Sequence, residues 1–434
     1  MDPATLAALI LAIATAVLLV IGVPIAVAVG GATALAMLVL FEPDQVALST
    51  SQRIFTGINS FPLLAIPFFV LAGVIMNQGG IALRLVNAAK VIVGRFPGSL
   101  AQANVGANAM FGAVSGSAVA AAAAVGSTMA PLQKKEGYEP RFSAAANIAS
   151  APSGMLIPPS NTLIVYSLVS STSVAALFIG GYIPGILWAL GCAVVVYLYA
   201  RKRPELKVKE EMPFGQKVKI VLSAIPALLM IVVVIGGIII GWLTPTEAAV
   251  IAVLYSFALA AIYRTISWKM LPGIFIESTK TTAIVAFLIG VSTAMSWLMS
   301  FAQVPRIISD AMLGISESPA VILLMIAIVL LIVGTFMDAT PAVLIFTPIF
   351  LPIAIEAGMD PIHFGIFITF AVCVGVITPP VGTVLFVGSR IAQVRMEEVV
   401  RPLLPFFAAV IAVLFLVLYW PALSTWLPTL LGLM

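Results

Sequence analysis

Long apolar runs, broken at intervals by charged residues, glycine and proline, make up most of the chain. A bilayer core takes about 20 apolar residues per helix. On that measure candidate segments lie near 5–29, 30–41, 62–78, 97–131, 142–168 and 176–200 in the first half. They resume near 220–241, 245–264, 281–300, 319–355, 362–390 and 402–420. The first run opens Met1-Asp2-Pro3 without a basic residue, so it is expected to be a span rather than a cleaved leader. One long polar stretch, RKRPELKVKEEMPFGQKVK at 201–219, divides the series near its middle.

Composition makes the membrane reading firm. Of 434 residues 62% are hydrophobic and 9% charged, with mean hydropathy +1.18, whereas a soluble domain carries about 25% charged residues. Too few charges exist to cover a globular surface, which excludes a soluble enzyme or a nucleic-acid binder. Cys192 and Cys373 sit in apolar runs and read as small buried hydrophobes. The single histidine, His363, cannot build a zinc centre alone. The sequence holds no GxxxxGK[ST] loop, which argues against ATP hydrolysis.

The two halves resemble one another. A slide of 221 residues brings six proline pairs into register: Pro24 with Pro245, Pro131 with Pro352, Pro140 with Pro361, Pro158 with Pro379, Pro159 with Pro380 and Pro184 with Pro405. About one coincidence is expected by chance from 29 prolines in this length. Gly154 also meets Gly375, and Thr162 meets Thr383. Internal repeats are a common construction of secondary transporters.

Segments 97–131 and 319–355 are each long enough for two short helices around a small polar cluster. The clusters are Ser115-Gly116-Ser117 and Gly334-Thr335-Phe336-Met337-Asp338-Ala339-Thr340. Each reads as a re-entrant hairpin, tolerated at membrane depth where protein or water surrounds it. Each half then crosses five times, so the halves lie inverted. With both termini outside, 19 of the 21 basic residues fall in cytoplasmic loops and only Arg53 and Arg306 do not, as the positive-inside rule requires.

The predicted fold class is thus an all-α polytopic membrane protein of two inverted repeats. Each repeat has five crossings, one hairpin and one Pro-Pro-broken helix. The predicted units are 1–95, scaffold helices and arm; 96–203, a first transport half; 204–219, a cytoplasmic linker; 220–317, a second scaffold set and arm; 318–421, a second transport half; and 422–434, a tail. The transport halves hold the hairpins 97–131 and 319–355, the broken helices 142–168 and 362–390, and the spans 176–200 and 402–420. Stretches 80–95 and 302–316 read as helices lying along the interface.

The broken helices carry the strongest chemical signal. Pro158 and Pro159 have no N–H, so the carbonyls of Gly154 and Met155 lose their helical donors; Pro379 and Pro380 do the same to Gly375 and Val376. Unpaired carbonyls in hydrocarbon cost several kcal/mol each, and a hard cation prefers such oxygens. Ser160, Asn161, Thr162, Thr378 and Thr383 add side-chain oxygens. Structural kinks satisfied by water or neighbouring hydroxyls are the alternative.

At each hairpin tip a second helix begins, presenting free N–H groups that suit an anion. Ser115 and Ser117 are expected to cap one, with Asp338 and Thr340 at the other. Asp338 is the one acidic residue placed deep in the membrane, a functional candidate by default as well as a natural N-cap. One carboxylate with no buried histidine makes a poor proton relay and favours sodium. Thr244-Pro245-Thr246-Glu247 reads as a structural capping box.

On these motifs the chain resembles the large membrane subunit of tripartite ATP-independent periplasmic (TRAP) transporters over essentially its whole length. The anchors are VSGSAVAAAAAVGSTMAP (114–131), LIPPSNTLIVY (156–166), LTPTEAA (243–249) and ITPPVGTVLFVGS (377–389). Ala118 departs from the pattern, standing where the family often has a serine. The resemblance implies a sodium-driven elevator of the ion-transporter superfamily in the bacterial inner membrane. Its cargo would be a small organic acid such as a C4-dicarboxylate, a sialic acid or another sugar acid. Implied partners are a periplasmic substrate-binding protein and a small four-helix membrane subunit, with no organic cofactor and no nucleic acid. The candidate sodium site comprises Ser115, Gly154, Met155, Pro158, Asn161, Gly334, Asp338, Gly375, Val376, Thr378 and Gly382, largely through backbone carbonyls. Candidate substrate contacts are Ser115, Gly116, Ser117, Ser160, Asn161, Asp338, Thr340 and Thr383.

Two other readings compete. A stand-alone sodium–dicarboxylate symporter would share the architecture without a binding protein. An intramembrane transferase would want paired carboxylates or histidine near a membrane surface, whereas Glu136, Glu139, Glu397 and Glu398 sit in basic loops.

Overall fold

The computed structural model describes residues 3–93, 96–203, 206 and 213–434. The predicted unit boundary at residue 95 and linker positions 204, 205 and 207–212 lie outside the described residues. Helices are the regular structure throughout, and no strand occurs among the described residues.

The first half runs α1 (Pro3–Val20), α2 (Ile25–Met37), α3 (Pro43–Ile58), α4 (Ala65–Gln78), α5 (Ile81–Val93), α6 (Ser99–Ser115), α7 (Ala118–Lys135), α8 (Pro140–Ser150), α9 (Ser153–Leu156), α10 (Asn161–Ser170) and α11 (Val174–Arg201). The second runs α12 (Phe214–Ile239), α13 (Pro245–Tyr263), α14 (Leu271–Phe301), α15 (Val304–Leu313), α16 (Pro319–Gly334), α17 (Ala339–Glu356), α18 (Pro361–Gly375), α19 (Thr383–Ile391), α20 (Met396–Tyr419) and α21 (Ala422–Leu430). Eight described helical stretches are long and apolar enough to cross a membrane. Trp242, Trp268 and Phe214 stand more than 80% exposed on the outside, as lipid-facing and interfacial aromatics do.

Several boundaries differ from those read off the apolar runs, each for a local reason. The run 5–29 is two helices, because Gly22 takes a left-handed φ of +84° and Pro24 starts the next helix. Helix α3 falls in a stretch assigned no element, since Asp44, Gln45, Gln52 and Arg53 dilute its hydropathy. In the second half a single 31-residue helix, α14, occupies the place that α3 and α4 share in the first. Pro62 lies in the short 3₁₀ turn Phe61–Leu64 between α3 and α4, whereas Ala283, 221 residues on, lies inside α14. Pro152 breaks the helix over 142–168 a turn before Pro158, dividing α8 from α9. The tail 422–434 contains a helix, α21, whose Ser424 carbonyl presses on Gly180 of α11.

Charge contributes little to cohesion. Among the described residues one ion pair forms, Arg141–Glu398 at 3.2 Å, partly exposed, and such pairs are worth about 0–1 kcal/mol. Close packing and side chain-to-carbonyl bonds do more. The Trp188 indole donates to the Ala149 carbonyl at 2.7 Å and lies 4.7 Å from the Phe370 ring. Contrary to the expectation of no buried histidine, His363 is buried in α18; its Nε2 bonds the Val417 carbonyl at 2.6 Å, so it pins α18 to α20. Thr244 and Glu247 form the expected capping box: the Thr244 N–H donates to Glu247 Oε2 at 2.7 Å and the Glu247 N–H to Thr244 Oγ1 at 3.3 Å.

The breaks also exchange partners between halves. Past Pro158-Pro159, α10 packs on α17 and α18 of the second half; past Pro379-Pro380, α19 packs on α7 and α8 of the first. Tyr166 on α10 donates its hydroxyl to the Pro361 carbonyl at 2.5 Å, and its ring fills the space where Gly365 lacks a side chain.

Two glycine crossings hold the hairpins against the broken helices. A Cβ on Gly112 of α6 would stand 2.6 Å from the Gly154 Cα; one on Gly334 of α16 would stand 2.9 Å from the Gly375 Cα. Both obstacles are backbone and cannot yield. Gly112→Val and Gly334→Val are therefore expected to destabilise the solubilised protein by about 1–3 kcal/mol each, read as a lowered thermal midpoint. Gly273→Ala, where a Cβ meets open space inside α14, is expected to raise it slightly.

Candidate functional site

The two tips and the two breaks form matched pairs. In the first half α6 ends at Ser115 and Gly116 takes φ +62°, a left-handed conformation that turns the chain. Ser117 then caps α7, its hydroxyl accepting from the Ala120 N–H at 3.3 Å. Ser115 does not cap α7; its hydroxyl lies 3.4 Å from the Ser117 carbonyl. A Cβ on Gly116 would stand 3.0 Å from Asn161 Nδ2, so tip and break touch. Asn161 opens α10, and buried Ser160 caps it by accepting from the Leu163 N–H at 3.4 Å.

In the second half the turn is longer, running from Thr335 to Asp338. Asp338 occupies the N-cap position of α17 but makes no side-chain capping bond there. Its Oδ1 instead accepts from Thr383 Oγ1 at 3.4 Å, a long bond for a hydroxyl and a carboxylate. The Gly382 N–H donates to the Thr335 carbonyl at 3.0 Å and fastens tip to break. Thr340, one residue inside α17, is partly buried. The structure gives it no bond to Asp338 or Thr383.

Pro158-Pro159 and Pro379-Pro380 are both cis. The carbonyls before them fare differently in the two halves. Gly375 and Val376 were expected to lose their partners, but the chain supplies new donors: the Thr378 N–H reaches Gly375 at 2.8 Å and the Val384 N–H reaches Val376 at 3.1 Å. Thr378 Oγ1 is engaged too, donating to Val374 at 2.6 Å. In the first half no backbone or side-chain donor among the described residues reaches the carbonyls of Gly154 or Met155. The buried Thr162 hydroxyl, on α10 beyond the break, is also without a partner among those residues. Neutral, oxygen-only and short of donors, this set suits a hard monovalent cation.

Two glycines, Gly112 and Gly73, escaped the sequence reading, and Thr335 entered it only as part of the second tip. Gly112 is the crossing partner of Gly154, but a slide of 221 sets Gly334 against Ala113 because the second tip is longer, so the match fell one residue off. Thr335 acts through its carbonyl, which no side-chain pattern reveals. Gly73 of α4 lies against the first tip: its Cβ would stand 3.2 Å from the Ser115 carbonyl oxygen. A helix glycine in an apolar run carries no local sign of such a contact.

Comparison with known proteins identifies the family. A crystal structure of the Alcanivorax borkumensis YdaH transporter shares the fold at TM-score 0.60, with 14% identity over 88% of this chain and 89% of that one. The uncharacterized protein YgiK of Salmonella typhimurium is 55% identical, covering 96% of this chain and 95% of its own. The C4-dicarboxylate TRAP transporter large permease protein DctM of Pseudomonas aeruginosa is 39% identical over 91% of this chain and 92% of its own. The family described as tripartite ATP-independent periplasmic transporter, DctM component, matches residues 12–423. The chain therefore belongs to the DctM family of TRAP transporter large permeases, membrane transport subunits and not enzymes.

Proposed function

We propose that this chain couples sodium entry to the import of a small organic acid across the bacterial inner membrane, by an elevator movement. Its family works with a periplasmic binding protein and a small membrane subunit and moves a small organic acid. The observation that carries the finer reading is the convergence of tip and break in each half: Gly116 on Asn161, and Asp338 on Thr383.

Sodium is assigned first to the Gly154 and Met155 carbonyls, which no donor among the described residues reaches. Asn161 and the Thr162 hydroxyl follow soon after in the chain, and Ser115 joins them from the tip, whose Gly116 touches Asn161. A second cation position around Gly334, Asp338, Gly375, Val376, Thr378 and Gly382 draws in part on the second lone pair of the Gly375, Val376 and Gly382 carbonyls, each already bonded once. The acid's carboxylate is assigned to the N-termini of α7, α10, α17 and α19, where free N–H groups and the helix dipoles favour negative charge. Ser117, Ser160, Thr340 and Thr383 supply hydroxyls there. The P. aeruginosa relative's name supports a C4-dicarboxylate as the first cargo to try.

The elevator reading takes α6–α11 and α16–α20 as the moving body and α1–α5 with α12–α15 as scaffold. It keeps both termini outside and the halves inverted. Helix α17 is itself long enough to cross a bilayer, so length does not separate a hairpin limb from a span. The distribution of basic residues does.

Uptake in proteoliposomes holding the chain with its small subunit is expected to require both an inward sodium gradient and the binding protein. Uptake needing sodium alone would mark a stand-alone symporter, and no sodium dependence would remove the cation assignment. Asp338→Asn is expected to cut sodium-driven uptake about tenfold or more, since a bond to a charged group is worth about 1.5–3 kcal/mol, with the thermal midpoint little changed. An oxidised Gly73→Cys/Ser115→Cys pair is expected to stop transport and reductant to restore it. Full turnover while crosslinked would refute a sliding hairpin.

A further inference from the structure

Away from the tips, α6, α7, α8 and the end of α19 enclose a small cavity lined by Asn104, Ala130, Gln133, Ser143, Asn147 and Gly388, among others. Its room matches about one water molecule. Asn104 lies two helical turns from Gly112, about 12 Å along α6, so the cavity is separate from the site above. Its polar side chains are deeply buried: Asn104 is 1% exposed, Gln133 0% and Ser143 4%.

The hydrogen-bond network fixes what these groups present. Asn108 Nδ2 donates to Asn104 Oδ1 at 3.1 Å, which leaves the Asn104 amide NH₂ over. Gln133 Nε2 donates to the Leu100 carbonyl at 3.2 Å, which leaves the Gln133 amide oxygen. Asn147 is engaged at both ends, donating to Ala122 at 2.9 Å and accepting from Asn108 at 3.0 Å. Asn104 Nδ2, Gln133 Oε1 and Ser143 Oγ have no partner among the described residues. Buried polar groups left unpaired are costly, and three around one cavity have a common remedy.

We propose that this cavity is a binding site for one ordered water. The water accepts from the Asn104 amide, donates to Gln133 Oε1 and makes its third bond with the Ser143 hydroxyl. Three bonds is the usual number for a buried water. A cation does not fit, because the Asn104 NH₂ would point at it. The water ties both limbs of the first hairpin to the broken helix behind them. It thereby extends the buried polar cluster around Asn108, whose amide nitrogen lies 2.8–3.1 Å from Asn104 Oδ1, Asn147 Oδ1 and Ser150 Oγ.

A high-resolution map of the complete transporter in lipid tests this, independently of cargo and coupling ion. Expected is a peak about 2.7–3.2 Å from all three atoms. No peak, where other buried waters are resolved, overturns the proposal. A peak about 2.3–2.5 Å from the oxygens that follows the sodium concentration marks a cation and also overturns it. Ser143→Ala gives a second readout in the same complex. If the hydroxyl bonds water, the thermal midpoint falls by about 1–2 °C. If the hydroxyl is unpartnered, its removal leaves the midpoint unchanged or raises it, which overturns the proposal.

Discussion

A carbonyl oxygen inside a membrane protein must meet a donor or a cation, and two consecutive prolines withdraw two donors at once. That single constraint organises the centre of this molecule. The second half answers it internally, folding the Thr378 and Val384 N–H groups back onto Gly375 and Val376. The first half leaves Gly154 and Met155 without a backbone donor among the described residues. Two breaks that look alike on paper are therefore chemically unequal.

Around this centre, shape does the work that charge does elsewhere. Glycine faces glycine where hairpins cross broken helices, and backbone meets backbone at distances no side chain allows. Small residues at such crossings are how membrane helices gain close packing when lipid supplies no hydrophobic drive. The exchange of α10 and α19 between halves then locks the two crossings together. Moving one tip independently of the other would drag Tyr166 out of the notch at Gly365.

Much of this was legible from residue order. The apolar runs marked the helices of an all-α membrane protein, and the Pro-Pro pairs with Asp338 marked where tip and break converge. What stayed hidden has physical causes. Helix α3 is too polar to register as an apolar run. Pro152 was masked by the more conspicuous pair after it. The new donors to Gly375 and Val376 come from backbone that doubles back, and no composition reports a backbone path. Gly73 and Gly112 matter for what they leave empty, which is visible only once a neighbour is in place.

The exchanged helices bear on how the chain is made. Surfaces on α7 and α8 are covered by α19, yet Thr383 lies 248 residues beyond Lys135. At about 5–20 residues per second, synthesis takes roughly 12–50 s to bring the missing cover. Throughout that interval the first half sits in the membrane with Asn147, Gly126 and Ile148 unsheltered on one flank. The nascent protein thus resembles an unfinished clasp, held by lipid or insertion machinery until its own distant end arrives.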